Sequence, residues 1–100
     1  MQDIPYAKKS LGQHWLRDEA SLDAMLDAAE IGPDDTVLEI GPGPGALTAK
    51  LVERAKQVVA VEFDADLARE LPARVPAANL QVIQQDILRF DLTSLPAGYK

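Results

Sequence analysis

A glycine-rich loop and three carboxylates carry the chemistry that this sequence could perform. The loop, residues 41–45, alternates glycine with proline. Its glycines let a ligand approach the backbone closely, but its prolines have no N–H group to donate. Because a pyrophosphate is held by backbone N–H groups, the loop is a weak phosphate cradle. The carboxylates of Glu39, Glu62 and Asp86 instead suit a ligand that carries positive charge or neighbouring hydroxyl groups.

The spacing of these residues fits two ligand-binding patterns. Residues 41–46 read Gly-x-Gly-x-x-Ala, and Glu62 follows Gly41 by 21 residues, which satisfies a relaxed dinucleotide fingerprint. Residues 39–45 read Glu-x-Gly-x-Gly-x-Gly, which is the pattern of S-adenosylmethionine (SAM) methyltransferases. SAM has no phosphate, but it has a sulfonium and an ammonium group. The prolines and the acids therefore favour the second pattern.

Each candidate also has a purely structural explanation. The loop could be only a tight strand-to-helix turn, Glu62 a solvated strand end, and Asp86 a turn-forming residue. However, Gly41, Glu62 and Asp86 are all predicted to lie just past the ends of consecutive strands. Ligands of open parallel sheets bind beyond those ends. We call the edge formed by these strand ends the rim. Three candidate residues on the rim are stronger evidence for a ligand site than any single motif.

The elements that must position this rim follow from hydrophobic periodicity. They are a helix after Asp18, a strand at 36–40, a helix at about 45–55, a strand at 57–61, a helix from about 65, and a strand at 80–83. This alternation predicts an α/β fold with a parallel sheet and right-handed crossovers. Residues 1–17 show no periodicity and are predicted to form an arm, whereas residues 18–100 form the folded domain.

Some details of this assignment are less sharply defined by the sequence. The first helix is expected to bury an apolar face made of Leu22, Met25, Leu26 and Ala29. Two prolines, at positions 72 and 76, obscure the end of the third helix. The last segment, from residue 87 onward, is ambiguous.

Composition restricts the class of protein. The chain has 100 residues, 47% of them hydrophobic and 26% charged, which suits a single globular domain rather than disorder. It has no cysteine, which excludes disulfides, cysteine metal sites and thiol nucleophiles. His14 is the only histidine, so a His-rich metal site is implausible and no metal is expected. No apolar run could span a bilayer and no signal-peptide pattern is present, so a soluble cytoplasmic protein is expected.

The charge is unevenly distributed along the chain. A net charge of -6 argues at first against a nucleic-acid partner, because binding along phosphates needs a basic face. Residues 1–20 have 3 basic and 3 acidic side chains, whereas residues 21–100 have 7 basic and 13 acidic ones. Lys8 and Lys9 thus form a small basic segment in front of an acidic body.

Four segments, in this order, resemble the bacterial 16S ribosomal RNA adenine dimethyltransferases. They are KKSLGQHWL at 8–16, LEIGPGPGALT at 38–48, VEFD at 61–64 and QDIL at 85–88. The first segment discriminates best, because methyltransferases in general share only the glycine loop and the acids. The macrolide-resistance 23S RNA methyltransferases are close relatives, but their first segment is less similar and their loop lacks the Gly-Pro-Gly start.

The resemblance implies a Rossmann-like class I SAM-methyltransferase fold and a role for each matched residue. His14 and Leu16 would close over the methionine end of SAM. Gly41 would contact SAM through its backbone, Glu62 would bind the ribose hydroxyls, and Asp86 would accept a hydrogen bond from the adenine amino group.

The arm segment departs slightly from the family pattern. The family often has Asn where this chain has His14, and Phe where it has Trp15. Both changes keep a polar tip and an aromatic ring, although an incidental surface histidine is the alternative for His14. Lys8 and Lys9 would contact the RNA backbone, with a solvated charged tail as the alternative.

The resemblance also implies a reaction and a missing part. Family members transfer two methyl groups to N6 of each of two adjacent adenines in small-subunit RNA, by in-line attack of the amino nitrogen on the SAM methyl. An Asn-Leu/Ile-Pro-Tyr tetrapeptide positions the base, and this sequence does not contain it. We therefore expect the SAM-binding front half of such an enzyme, with a sheet truncated after about three strands and no activity by itself.

Two further expectations follow from this interpretation. The first strand, without its family neighbour, would expose an apolar edge and favour self-association. Two other functions stay open at this point: an NAD-type dinucleotide-binding oxidoreductase module, and a non-catalytic fragment that binds RNA or assists ribosome assembly.

Overall fold

A computed structural model describes residues 18–100, in which three helices alternate with three strands. The elements are α1 (Glu19–Ala28), β1 (Thr36–Ile40), α2 (Ala46–Arg54), β2 (Gln57–Glu62), α3 (Ala65–Arg74) and β3 (Leu80–Gln84). Two short 3-10 helices, Ile87–Arg89 and Leu92–Ser94, occupy the segment that the sequence left ambiguous. The α/β alternation is confirmed. The predicted arm, residues 1–17, lies outside the described residues.

The sheet is parallel and has the order β1-β2-β3. Ile40 lies beside Val61, and Glu62 lies beside Gln84, so the carboxyl ends of the three strands meet at one edge. The central strand is buried along the run Val58–Val61, as its continuous apolar sequence predicts. With only β2 beside it among the described residues, β1 lies at an edge of this sheet.

Helices α1 and α3 begin at aspartates that cap their first turns. The Asp18 carboxylate accepts a hydrogen bond from the Ala20 N–H at 3.1 Å, and the Asp64 carboxylate accepts one from the Leu67 N–H at 2.9 Å. Helix α3 continues through Pro72 to Arg74, and Leu71 in this turn is fully buried in the core. No helix described for residues 18–100 is long and apolar enough to cross a membrane.

All three helices pack on one face of the sheet. One core cluster joins α1, the sheet and α2 through the side chains Leu26, Val37, Leu51, Ala55 and Val58. A second joins β2 to α3 through Ala60, Leu71 and Val75. On the other face, a cavity of about 260 Å³ separates the sheet from the segment around Phe90 and Leu95.

Helix α1 buries a narrower face than its periodicity predicts. Leu22 and Leu26 are buried, but Met25 is 49% exposed and Ala29 is exposed. The prediction for these two residues is wrong because only Leu22 and Leu26, which lie along one line of the helix, are buried. Ion pairs flank that line, including Lys50 to Asp23 at 3.5 Å and Arg54 to Asp27 at 2.6 Å.

Candidate cofactor site

Backbone hydrogen bonds join the three strand ends into one rim. The Gly41 N–H donates to the Val61 carbonyl at 2.9 Å, and the Gln85 N–H donates to the Glu62 carbonyl at 2.9 Å. The structure therefore places Gly41, Glu62 and Asp86 along the same edge of the sheet. Glu62 is the last residue of β2 rather than the residue after it.

The glycine loop has no free N–H donor left among its own residues. Gly41 bonds to β2, the Gly43 N–H donates to Glu62 Oε1 at 3.1 Å, and the Gly45 N–H donates to the Pro42 carbonyl at 3.1 Å. The two prolines have no N–H to offer. A pyrophosphate would find no donor in residues 41–45, which supports the prediction that this loop is a poor phosphate cradle.

Glu62 is built into the loop that it faces. Its side chain is 7% exposed, Oε1 accepts the Gly43 N–H, and Oε2 accepts the Asp64 N–H at 2.9 Å. Each carboxylate oxygen can accept a second hydrogen bond. Glu62 can therefore hold the loop and still accept hydrogen bonds from ligand hydroxyls.

Asp86 combines a turn-forming role with a position on the rim. Its Oδ1 accepts the Leu88 N–H at 3.0 Å and caps the 3-10 helix Ile87–Arg89. Asp91 caps the second 3-10 helix in the same way, through the Thr93 N–H at 3.0 Å. Asp86 is thus a turn-forming residue, as its alternative explanation predicts. Its other oxygen, Oδ2, accepts no hydrogen bond from residues 18–100.

Behind the loop, Glu39 of β1 meets Thr48 of α2. The Thr48 hydroxyl donates to Glu39 Oε1 at 2.6 Å, and both side chains are buried, with 0% and 7% exposure respectively. Burial raises the pKa of the Glu39 carboxyl above 4.5, and the hydrogen bond from Thr48 partly opposes this rise. Sequence reasoning missed Thr48. A polar residue on the helix face that also carries Leu51 and Ala55 was the available signal.

The loop glycines serve two different purposes. Gly45 has φ +96°, and a Cβ there would lie 2.7 Å from Leu71 Cδ1 and 3.0 Å from Val75 Cγ2, so it lets α2 approach α3. Gly41 has φ +67° and faces open space, with nothing within 4 Å of the position that a Cβ would take. Gly45 therefore serves packing, whereas Gly41 leaves room at the rim.

Comparison with known proteins decides the family. The sequence model described as "Ribosomal RNA adenine dimethylase" matches residues 5–97. The chain belongs to the ribosomal RNA adenine dimethylase family. It is 52% identical over 89 residues to the "Ribosomal RNA small subunit methyltransferase A" of Thermosynechococcus vestitus, which covers 89% of this chain and 34% of that relative. The chain thus spans about a third of the length of the curated relatives it matches.

Solved structures of this family and its relatives share the fold. A dimethyladenosine transferase from Plasmodium falciparum superposes with a TM-score of 0.70 at 34% identity, over 76% of this chain and 29% of that one. The 23S rRNA methyltransferase ErmE superposes with a TM-score of 0.71 at 36% identity, over 81% and 32%. The Rossmann-like class I SAM-methyltransferase fold is therefore confirmed, and the oxidoreductase alternative is not favoured.

The rim of this dimethylase-family chain has one more feature that sequence reasoning missed. Phe63 follows Glu62 and is 71% exposed, although it is aromatic. The Gln84 side-chain amide donates to the Phe63 carbonyl at 2.7 Å and fixes this backbone beside β3. An aromatic residue between two acids, Glu62 and Asp64, just past a buried strand was the signal for it.

Four of the predicted site residues belong to the arm of the dimethylase-family pattern. Lys8, Lys9, His14 and Leu16 lie outside the described residues. Their matches to the family segment remain predictions, and so do their roles.

Proposed function

We propose that this chain binds SAM at the rim and forms the cofactor-binding part of an rRNA adenine N6,N6-dimethyltransferase. One observation carries the proposal: every N–H of the loop 41–45 is already used, while the carboxylates of Glu39 and Glu62 lie at the loop and that of Asp86 lies on the same rim. This surface disfavours a pyrophosphate and suits a ligand with a sulfonium, an ammonium and two ribose hydroxyls.

Each described site residue has a free group for its proposed role. Glu62 keeps one acceptor position on each oxygen for the ribose hydroxyls. Asp86 Oδ2 can accept a hydrogen bond from the adenine amino group. The space in front of Gly41 lets SAM lie against the backbone. His14 and Leu16 of the arm would close over the methionine end.

Two residues extend this assignment beyond the predicted set. The exposed ring of Phe63 offers an apolar face beside Glu62, where the adenine of SAM would lie against it. The carboxylate of Glu39 supplies negative charge behind the loop, on the side of the cationic methionine end.

The proposed reaction is methyl transfer from SAM to N6 of adjacent adenines in small-subunit ribosomal RNA. When bound, SAM supplies the electrophilic methyl group. This chain's own residues hold and orient SAM. Because the family's Asn-Leu/Ile-Pro-Tyr tetrapeptide is not in the sequence, we expect no methyl transfer by these 100 residues. Transfer of labelled methyl groups from SAM to small-subunit RNA by this chain would contradict that expectation.

The RNA partner would contact the basic arm. Lys8 and Lys9 would neutralise phosphates of a small-subunit ribosomal RNA or a 30S precursor, in the cytoplasm where ribosomes are assembled. Replacing both with Ala is expected to reduce the slope of log affinity against log salt by about 1.4 for single-stranded RNA, at roughly 0.7 for each phosphate that is no longer neutralised. An unchanged slope would show that these lysines do not contact the backbone. RNA binding that persists without SAM would favour the assembly-fragment alternative.

Self-association through the β1 edge is part of the proposal. The Gly41 N–H bonds to β2, so alternation turns the backbone groups of Leu38 and Ile40 away from β2. The Lys100 N–H donates to the Thr36 carbonyl at 2.8 Å and occupies only the start of this edge. Sedimentation is expected to show a mass that rises with protein concentration. A monodisperse monomer that melts cooperatively would contradict this.

Calorimetric titration with SAM and with NAD, side by side, tests the cofactor. SAM is expected to bind and NAD is not. Asp86→Ala is expected to weaken SAM binding about 10-fold or more, because a hydrogen bond to a charged group is removed. Asp91→Ala is the matched control, since it removes the same kind of cap away from the rim. Tighter binding of NAD, or equal losses in the two variants, would contradict the proposed site.

A further inference from the structure

Thr48 contributes a hydroxyl that packing does not require. It lies in the first turn of α2, is fully buried, and shares its helix face with Leu51 and Ala55. Valine has nearly the same shape but has no group that could donate a hydrogen bond to Glu39. A buried hydroxyl lowers stability unless it is hydrogen-bonded, and its partner here is Glu39 at 2.6 Å.

The hydrogen bond divides the two oxygens of Glu39. Oε1 is held by Thr48, whereas Oε2 accepts no hydrogen bond from residues 18–100. Glu39 as a whole is 7% exposed and lies two residues before Gly41, the first glycine of the loop. One oxygen is therefore fixed against α2, close in sequence to the glycine loop.

We propose that Thr48 is a positioning residue for the methyl donor, which fixes the Glu39 carboxylate so that its second oxygen faces the cationic methionine end of SAM. This inference rests on the proposed function. A carboxylate held in one rotamer before binding loses less side-chain entropy when the ligand arrives. Thr48 acts through Glu39 and makes no contact with SAM itself.

The charged residues around Glu39 have other partners or are exposed, so Glu39 is the carboxylate available to the cationic methionine end of SAM. On α2, Lys50 and Arg54 pair with acids of α1, and Glu53 is exposed. On β2, the oxygens of Glu62 accept the N–H groups of Gly43 and Asp64, and their remaining acceptor positions are assigned to the ribose hydroxyls. The charged side chains of α3 are exposed. No cation from residues 18–100 forms an ion pair with Glu39, which leaves its charge for the ligand.

A double-mutant cycle read by SAM titration tests the proposal. Thr48→Val is expected to raise the Kd for SAM about 5- to 10-fold, the size of one hydrogen bond's net contribution. Thr48→Ser keeps the hydroxyl and is expected to stay within about 2-fold of the unmodified chain. In a Glu39→Met background, Thr48→Val is expected to change the Kd no further, because the group it positions is gone.

Thr93→Val is the matched control for a threonine–carboxylate pair. The Thr93 hydroxyl donates to Asp91 at 2.5 Å on the exposed side of the molecule, away from the loop, so its removal is expected to leave the Kd for SAM unchanged. Circular dichroism verifies that each variant is folded. If Thr48→Val does not fold, Thr48→Ala takes its place in the cycle, since it removes the hydroxyl together with the γ-methyl group and places no new group beside Glu39.

The outcomes separate this inference from the proposed function. Suppose that the unmodified chain binds SAM, but that Thr48→Val raises the Kd for SAM as much in the Glu39→Met background as in the unmodified chain. Thr48 then acts through packing, and the inference is wrong while the proposed function stands. Equal losses for Thr48→Val and Thr48→Ser would overturn it in the same way. If the unmodified chain does not bind SAM, both the proposed function and the inference are wrong.

Discussion

The ends of β2 and β3 hold their carboxylates in different ways. Glu62 is buried and accepts the N–H of Gly43, which lies 19 residues away in the sequence. Asp86 is half-buried and accepts the N–H of Leu88, two residues away. Glu62 therefore joins two parts of the fold, whereas Asp86 shapes its own turn.

The same contrast extends to the segments around these residues. Loop 41–45 is held by β2 and by close packing against α3. Beyond β3, side-chain hydrogen bonds of Asp86, Asp91 and Ser94 reach only two or three residues. Long-range interactions couple the loop to the whole core, so a change there should destabilise the domain. A change at Asp86, Asp91 or Ser94 should remain local.

The largest difference is expected between two glycines that both have positive φ. Gly45→Ala forces a Cβ to within 2.7 Å of the buried Leu71, so strain and overpacking add up to a loss of about 2–4 kcal/mol. Gly98→Ala has φ +81° but open space, and should cost only about 1 kcal/mol of strain. Urea unfolding gives both free energies. Similar losses would show that the loop is not held by core packing.

A smaller difference is expected when each carboxylate becomes an amide. Glu62→Gln turns one acceptor into an NH₂ group that faces the N–H of Gly43 or Asp64, with a loss of about 1–3 kcal/mol. Asp86→Asn keeps an oxygen for the Leu88 N–H, and Asn caps about as well as Asp, so about 0.3 kcal/mol or less is expected. Thermal and urea unfolding should agree on this order. A larger loss for Asp86→Asn would reverse the comparison.

Periodicity predicted the parts of this fold that depend on local sequence. The buried run Val58–Val61 and the caps at Asp18 and Asp64 could be found because each depends on neighbours in the chain. The width of the apolar face of α1 could not, since Met25 is half-exposed among the described residues, and only the tertiary arrangement decides which side chains of a helix are covered.

The candidate site shows the same limit. Strand ends and spacing were enough to place Gly41, Glu62 and Asp86 on one rim. The bonds from Gly43 to Glu62 and from Thr48 to Glu39 were missed, because they depend on which strands are neighbours and on how α2 lies over them. Sequence patterns identify the residues of the site, whereas strand register and helix packing decide which oxygen of each carboxylate is already hydrogen-bonded.

The smallest effects, and the most specific, are expected in the pH dependence of stability. Burial raises the pKa of Glu39 above its ordinary 4.5, so the folded chain holds this proton to a higher pH than the unfolded chain does. Hydrogen bonds from the Thr93 hydroxyl and N–H lower the pKa of the exposed Asp91 below its ordinary 3.8. The folded chain therefore releases that proton at a lower pH than the unfolded chain does.

Because of these shifts, the contributions of the two carboxylates to the free energy of unfolding change with pH in opposite directions. The stability associated with protonated Glu39 is present below pH 4.5 and is lost as pH rises through the higher pKa of the folded chain. Glu39→Gln should therefore gain stability relative to the unmodified chain as pH increases above 4.5. The stability from ionised Asp91 is present above pH 3.8 and is lost as pH falls, so Asp91→Asn should lose stability at neutral pH and converge with the unmodified chain in acid. Urea midpoints measured from acid to neutral pH compare the slopes. Two differences of the same sign would mean that the buried rim and the exposed last segment do not differ in how they hold charge.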